Sequence, residues 1–219
     1  YYYVDNTLLI KDFLDERPKV TLFTRPRRFG KSLTMDMLRT FFEHTKADTS
    51  AYFKDKKIWQ QGQRYRNHQG KYPVIFISFK DAGKDSWEHT LDYIIQLIRT
   101  EYRRHSELAD SDRIADRDFY EAVIKDTLKS ELYDYSLFML SRMLHEHFGI
   151  APVLIIDEYD TPLQQGFSKG YYDNAVEFMR NLFSAALKDN EHLSFGFMTG
   201  ILRIAKESIF SGLNNLKVD

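Results

Sequence analysis

The chain has 219 residues and a net charge of −1, with 43% hydrophobic and 15% aromatic side chains. That length and apolar content fill the core of one medium α/β domain and exclude a disordered chain. The near-zero charge provides no global field to recruit nucleic acid or an anionic membrane, and the absence of cysteine excludes disulfides, iron–sulfur clusters and thiol catalysis.

The N-terminal YYYVDNTLLI lacks an initiator Met and lacks a basic segment followed by an apolar one. It reads as a piece of a longer protein with no signal peptide. No apolar run approaches the ~20 residues of a membrane span, and a cytoplasmic setting fits. Val20 to Thr24 is an apolar, β-branched run and predicts a buried strand. After it, Leu33, Met37 and Phe41 recur at four-residue spacing and predict the inner face of a helix. Residues 45–72, rich in Lys, Gln, Arg and Asp, read as an exposed excursion. A second strand is expected at Val74 to Phe79, behind Pro73, and then a helix with a stripe of Leu91, Ile94, Ile95, Ile98 and Tyr102. Residues 106–133 are charged, yet Phe119, Val123 and Leu128 suggest an added helix. Leu137, Leu140, Leu144 and Phe148 predict another helix, Val153 to Asp157 a third strand, and Val176, Met179, Phe183, Ala186 and Leu187 a further helix. The fourth strand is expected at Leu193 to Thr199. Strands alternating with helices imply an α/β fold, three layers with a mostly parallel central sheet between helices, in one domain spanning 1–219.

The chemistry is concentrated in two motifs. The stretch TLFTRPRRFGKSLTMDML ends as a phosphate-binding loop does, in Gly-Lys-Ser, but Arg25 stands where G-x-x-x-x-G-K-[ST] has its first glycine. Pro26 biases Arg25 toward extended backbone, so the turn can open by another route. A strand before the loop and a helix after it give the required context, with backbone N–H groups and the helix dipole aimed at an anion. Arg28, Phe29, Gly30, Lys31, Ser32 and Leu33 are the candidate nucleotide-binding residues, Lys31 for the outer phosphates and Ser32 for Mg²⁺. Arg27 and Arg28 are equally readable as phosphate contacts or as a solvated basic turn.

The second motif, VLIIDEYD, carries the chain through the core and delivers Asp157 and Glu158 at the strand's C-terminal edge, where open α/β sheets bind ligands. Asp157 can hold Mg²⁺ through water, and Glu158 can orient or deprotonate an attacking water. A strand ending in solvated acids is the bland alternative, made less economical by the two motifs occurring together in this order. Thr199 and Arg203 complete the candidate catalytic set. Thr199 reads as a γ-phosphate or water contact or as a strand-end cap, and Arg203 as a charge neutraliser or as a surface arginine.

YVDNTLLI, RPRRFGKSL, YPVIFISFKD, LIIDEYDTPL and GILRIAKESIFSGLNNL together resemble the AAA-ATPase-like family of bacterial P-loop NTPases, over essentially the whole chain. The family has RPRRFGKS where a glycine is expected, so Arg25 follows its pattern; Asn6 stands where relatives frequently carry Lys. The resemblance implies an ATP-binding domain whose loop strand is flanked by the Thr199 strand, with the Asp157 strand beyond. It implies Lys31 and Ser32 at phosphate and Mg²⁺, Asp157 and Glu158 as the acidic pair, and Tyr3 or Val4 near the base or simply packed at an edge. Members often continue into a PD-(D/E)XK nuclease-like domain, so the chain is expected to be cut before a helical lid and before any such domain.

Other constellations carry less. His145 and His147 flank Glu146, but residues i and i+2 on a helix do not face each other, which speaks against zinc. Arg99, Arg103, Arg104 and His105 read as a solvated helix face rather than a nucleic-acid groove. The leading reading is ATP binding with Mg²⁺-dependent hydrolysis. Two alternatives stand beside it, a nucleotide switch with negligible turnover and a nucleic-acid interaction module serving a fused nuclease-like domain. An oligomer is compatible with each, and a membrane partner with none.

Overall fold

The computed structural model describes residues 5–24, 30–201 and 216–218. Five strands form one sheet: β1 (Val20–Thr24), β2 (Val74–Ser78), β3 (Val153–Asp157), β4 (Phe195–Gly200) and β5 (Leu216–Val218). Their order is β2-β3-β4-β1-β5, and every neighbouring pair is parallel. β1 therefore lies against β4, with β3 one place further, the order that the resemblance implied. β2 and β4 are each shifted by a residue or two from their expected bounds. β5 was not anticipated, because three residues are too short to display a period.

Parallel strands need crossovers, and helices supply them on both faces. The helices are α1 (Leu8–Glu16), α2 (Lys31–Phe42), α3 (Lys57–Gln60), α4 (Gln63–Arg66), α5 (Trp87–Arg104), α6 (Arg117–Lys125), α7 (Ser136–Phe148), α8 (Thr161–Lys169) and α9 (Tyr172–Leu187). Side chains alternate across a strand, so each strand divides its residues between two cores. Val20, Leu22, Ile75, Ile77, Leu154, Ile156 and Met198 pack with residues of α5 to α9. Phe23, Val74, Val153, Ile155 and Phe197 pack with residues of α1 to α4. This second core is strongly aromatic. Phe13 lies 4.5 Å from Phe197, and Phe42 lies 5.1 Å from Phe195, ring centre to ring centre, in tilted and edge contacts.

Three expectations are corrected here. The buried face of α2 is Met35, Leu38, Phe41 and Phe42, while Leu33 is 60% exposed. The stripe was misphased because the first turn of α2 faces a cleft rather than the core. Residues 45–72 are not a solvated excursion, since Phe53, Ile58, Tyr65 and Tyr72 are buried in the aromatic core. Arg99, Arg104 and His105 are not a solvated face. Arg99 donates to the carbonyls of Val123 and Ile124 and pairs with Asp126, and Arg104 and His105 join Glu43, Glu101 and Glu107. Glu43 and the carbonyls of Val123 and Ile124 come from distant segments, which conceals this from a local reading.

Candidate functional site

β1 ends at Thr24 and α2 begins at Lys31. Gly30 is the N-cap of α2, with φ of 72°. That left-handed backbone is open to glycine at little cost and strains most other residues. Among the described residues no side chain caps this helix, and its first turn carries no acid. Its leading N–H groups and the positive end of its dipole thus remain available to an anion. Among the candidates, Arg28, Phe29 and Arg203 lie outside the described residues, as do Tyr3, Val4, Arg25 and Arg27.

The period-2 alternation decides which acid meets this helix. Asp157 shares parity with Val153 and Ile155, so it stands on the α2 side of the sheet. Ser32 Oγ donates to Asp157 Oδ2 at 2.9 Å. Thr199, which shares parity with Phe197, stands on the same side and donates to Asp157 Oδ1. The Glu158 backbone N–H donates to Thr199 Oγ1 at 3.1 Å. Thr199 is completely buried. Its hydroxyl is thus engaged within the strand tips, where it holds the two acids in place.

The turn after Asp157 is tightly determined. Glu158 has φ of 52°, an uncommon backbone for a residue with a Cβ. The flip separates its neighbours. Tyr159 enters the aliphatic core, its N–H donates to the Thr199 carbonyl at 3.0 Å, and burial, with Asp160 beside it, pushes its phenol well up. Asp160 accepts from the Ile201 N–H and from Gln164 Nε2, both at 2.8 Å. Glu158 is left facing outward, with the Thr161 hydroxyl 3.4 Å from its Oε2.

Gly30, Lys31, Ser32 and Leu33 form one wall of a cleft of about 580 Å³ that Glu158 and Thr161 also line. Lys31 is only 8% exposed, and its Nζ has no hydrogen-bond partner among the described residues. A buried ammonium without a partner is costly, and a phosphate oxygen satisfies it. Lys80 and Asp81 form the opposite wall. Neither they nor Thr161 were singled out from sequence. Lys80-Asp81 follows β2 at the same sheet edge as the acids, a position that two polar residues after a strand do not by themselves reveal. Among the described residues, no group of three or more His, Cys, Asp or Glu side chains converges as a metal site. His145 meets His192, Nδ1 to Nδ1 at 3.0 Å, and His147 Nδ1 meets Ser111 Oγ at 2.7 Å.

A family model described as "Predicted AAA-ATPase" matches residues 1–210. The chain belongs to the AAA-ATPase-like family. This AAA-ATPase-like chain is also 27% identical over 217 residues to an uncharacterized protein in the vnfD 5′ region of Azotobacter chroococcum mcd 1. The match covers 99% of this chain and 37% of that relative, so the chain spans well under half the relative's length. No solved structure matches it. Among the described residues, no helix of this family member is long and apolar enough to cross a membrane.

Proposed function

We propose that this domain has a P-loop NTPase fold, binds ATP at Gly30 to Leu33 and hydrolyses it with magnesium. The observation that carries the reading is the buried Lys31 ammonium, unpartnered among the described residues, at a helix N-terminus without a side-chain cap among them, next to the Ser32–Asp157 pair. An anion satisfies both the lysine and the helix. Ser32 and Asp157 offer hard oxygen donors, the kind that magnesium takes. They are the residues that would hold the ion, Asp157 through water, and the ion when bound supplies neutralisation of phosphate charge.

In this reading water attacks the γ-phosphorus, the bond from that phosphorus to the β,γ-bridging oxygen breaks, and the water's proton passes to Glu158. ADP and inorganic phosphate leave. Lys31 stabilises charge on the phosphate oxygens, and Thr199 positions Asp157 and the Glu158 backbone. Arg28, Phe29 and Arg203 remain part of the proposal as phosphate-loop and charge-neutralising residues. The nuclease-like domain that the resemblance implies is the partner we propose in the whole protein. Arg99 and Arg104 are engaged inside the fold, so that basic run supports no nucleic-acid groove.

Phosphate release and calorimetry test the proposal. Glu158→Gln is expected to lower Mg²⁺-dependent turnover by about 10²- to 10⁴-fold and to keep ATP binding. Lys31→Ala is expected to lose binding. Wild-type protein that binds no ATP, behaving as Lys31→Ala does, overturns the reading. Binding without phosphate release, in dilute and concentrated protein alike, identifies a nucleotide switch instead.

A further inference from the structure

The wall facing the phosphate loop is built with the same care as the loop. Lys80 and Asp81 are exposed to the cleft, and among the described residues neither side chain makes a hydrogen bond or an ion pair. The segment that presents them is nevertheless pinned on both sides. Upstream, β2 is locked in register with β3, Ser78 against Asp157, and the Phe79 N–H donates to the Asp157 carbonyl at 2.9 Å. Phe79 itself is completely buried. Downstream, Gly83 passes so close to α8 that an added Cβ would lie 2.7 Å from the Gln165 Cβ. Tyr171 Oη then donates to the Lys84 carbonyl at 2.8 Å and accepts from Thr90 Oγ1 at 3.0 Å. An unpaired cation on a clamped loop costs little reorganisation when a ligand arrives.

Position in the sheet says which part of the ligand arrives there. β2 is three places from β1, or ~14 Å at the usual strand spacing. Lys31 enters from the β1 side, Lys80 from the β2 side, and Glu158 lies between them on the β3 tip. A phosphate chain seated on the loop and running toward Glu158 brings its last phosphate toward Lys80. Asp81 beside Lys80 keeps that wall near neutral when the last phosphate is missing.

We infer that Lys80 binds the terminal phosphate of a nucleoside triphosphate and makes the cleft discriminate ATP from ADP. The inference rests on the reading of the cleft as a nucleotide site. It assigns the far wall a task distinct from that of the loop, since Lys31 serves both nucleotides and Lys80 only the longer one.

Calorimetry with a non-hydrolysable ATP analogue and with ADP, each with Mg²⁺, tests it on wild type, Lys80→Gln and Lys80→Arg. Lys80→Gln is expected to weaken the triphosphate analogue roughly fivefold to tenfold and to leave ADP within about twofold. Lys80→Arg, which keeps the cation, is expected to return the triphosphate to within about twofold of wild type. Equal loss for both nucleotides, no loss for either, or no rescue by arginine overturns the inference. If wild type binds both nucleotides and only this split is absent, the nucleotide site stands and the role of Lys80 falls. If wild type binds neither, both fall together.

Discussion

At the N-terminal end of β2, Arg104 donates to Glu43, Glu101 and the Val74 carbonyl, and His105 sits between Glu101 and Glu107. At the opposite end of the sheet, Lys31 is buried without a partner among the described residues, Lys80 and Asp81 face the cleft, and Glu158 occupies left-handed backbone. Both ends set basic side chains beside acidic ones. One end closes its charges on one another. The other leaves them aimed at a cleft. Burial pushes the Glu101 carboxyl up, but hydrogen bonds from His105 and Arg104 outweigh it and hold the group at about 2. Burial likewise pushes His105 down, and Glu101 and Glu107 outweigh it, so its net shift is upward. The lesson is that a buried charge reports structure when its partners are in the chain, and reports a ligand when they are not.

The comparison can be broken by removing one cation from each end. Arg104→Met leaves the buried Glu101 without its arginine, while Glu43 keeps Arg39, and a loss of about 3–5 kcal/mol is expected by urea denaturation. The affinity of the folded protein for ATP is expected to stay within about twofold. Lys31→Met is expected to act in the opposite direction on ligand-free protein, raising its stability by about 1 kcal/mol as an unsatisfied buried donor is removed. The same variant is expected to lose the gain in melting temperature that ATP gives wild type. Destabilisation by Lys31→Met as large as that by Arg104→Met would show that Lys31 is structural and would erase the contrast.

The smallest expected effect is on pH dependence, and it belongs to the closed end alone. His105 holds its proton more tightly in the folded chain than in the unfolded one. Its contribution is therefore complete below the unfolded value of about 6.5 and is lost as pH rises through the higher folded value. Glu101 behaves in the reverse sense. Its contribution is present above the ordinary glutamate range and is lost as pH falls toward about 2. Denaturation at pH 6 and pH 8.5 is expected to show lower stability at the higher pH, with the difference reduced in His105→Gln. An equal decline in that variant would assign the titration to another group.

Much of this was legible before any coordinates. Val20 to Thr24 and Val153 to Asp157 are unbroken apolar runs, and a strand buried on both faces has no alternative pattern. Glycine before Lys-Ser pointed to a helix beginning at Lys31, which is where α2 starts. What escaped was information carried by distant partners. Arg104 reads as a surface charge until Glu43 is placed beside it. Phe53, Ile58, Tyr65 and Tyr72 enter the aromatic core singly, from short turns without a period, so no stripe betrays them. Leu33 misled for the reverse reason, since an apolar side chain in the first turn of α2 lines the cleft and not the core. Lys80 and Asp81 escaped because nothing in two polar residues after a strand distinguishes a cleft wall from an ordinary turn.

β4 lies between β1 and β3, and in register Val20 pairs with Gly196. A ribosome delivering about 5–20 residues per second releases β4 on the order of ten seconds or more after β1. Throughout that interval Leu22 and Phe23 have no neighbouring strand to cover the β1 backbone, while β2 and β3 can already pair. Long-range parallel pairing of this kind is slow and exposes apolar segments to aggregation. Thr199 therefore reaches Asp157 and the Glu158 backbone only when β4 enters between β1 and β3. A nascent chain halted before β4 carries Asp157 and Glu158 but lacks Thr199, the hydroxyl that holds both in place.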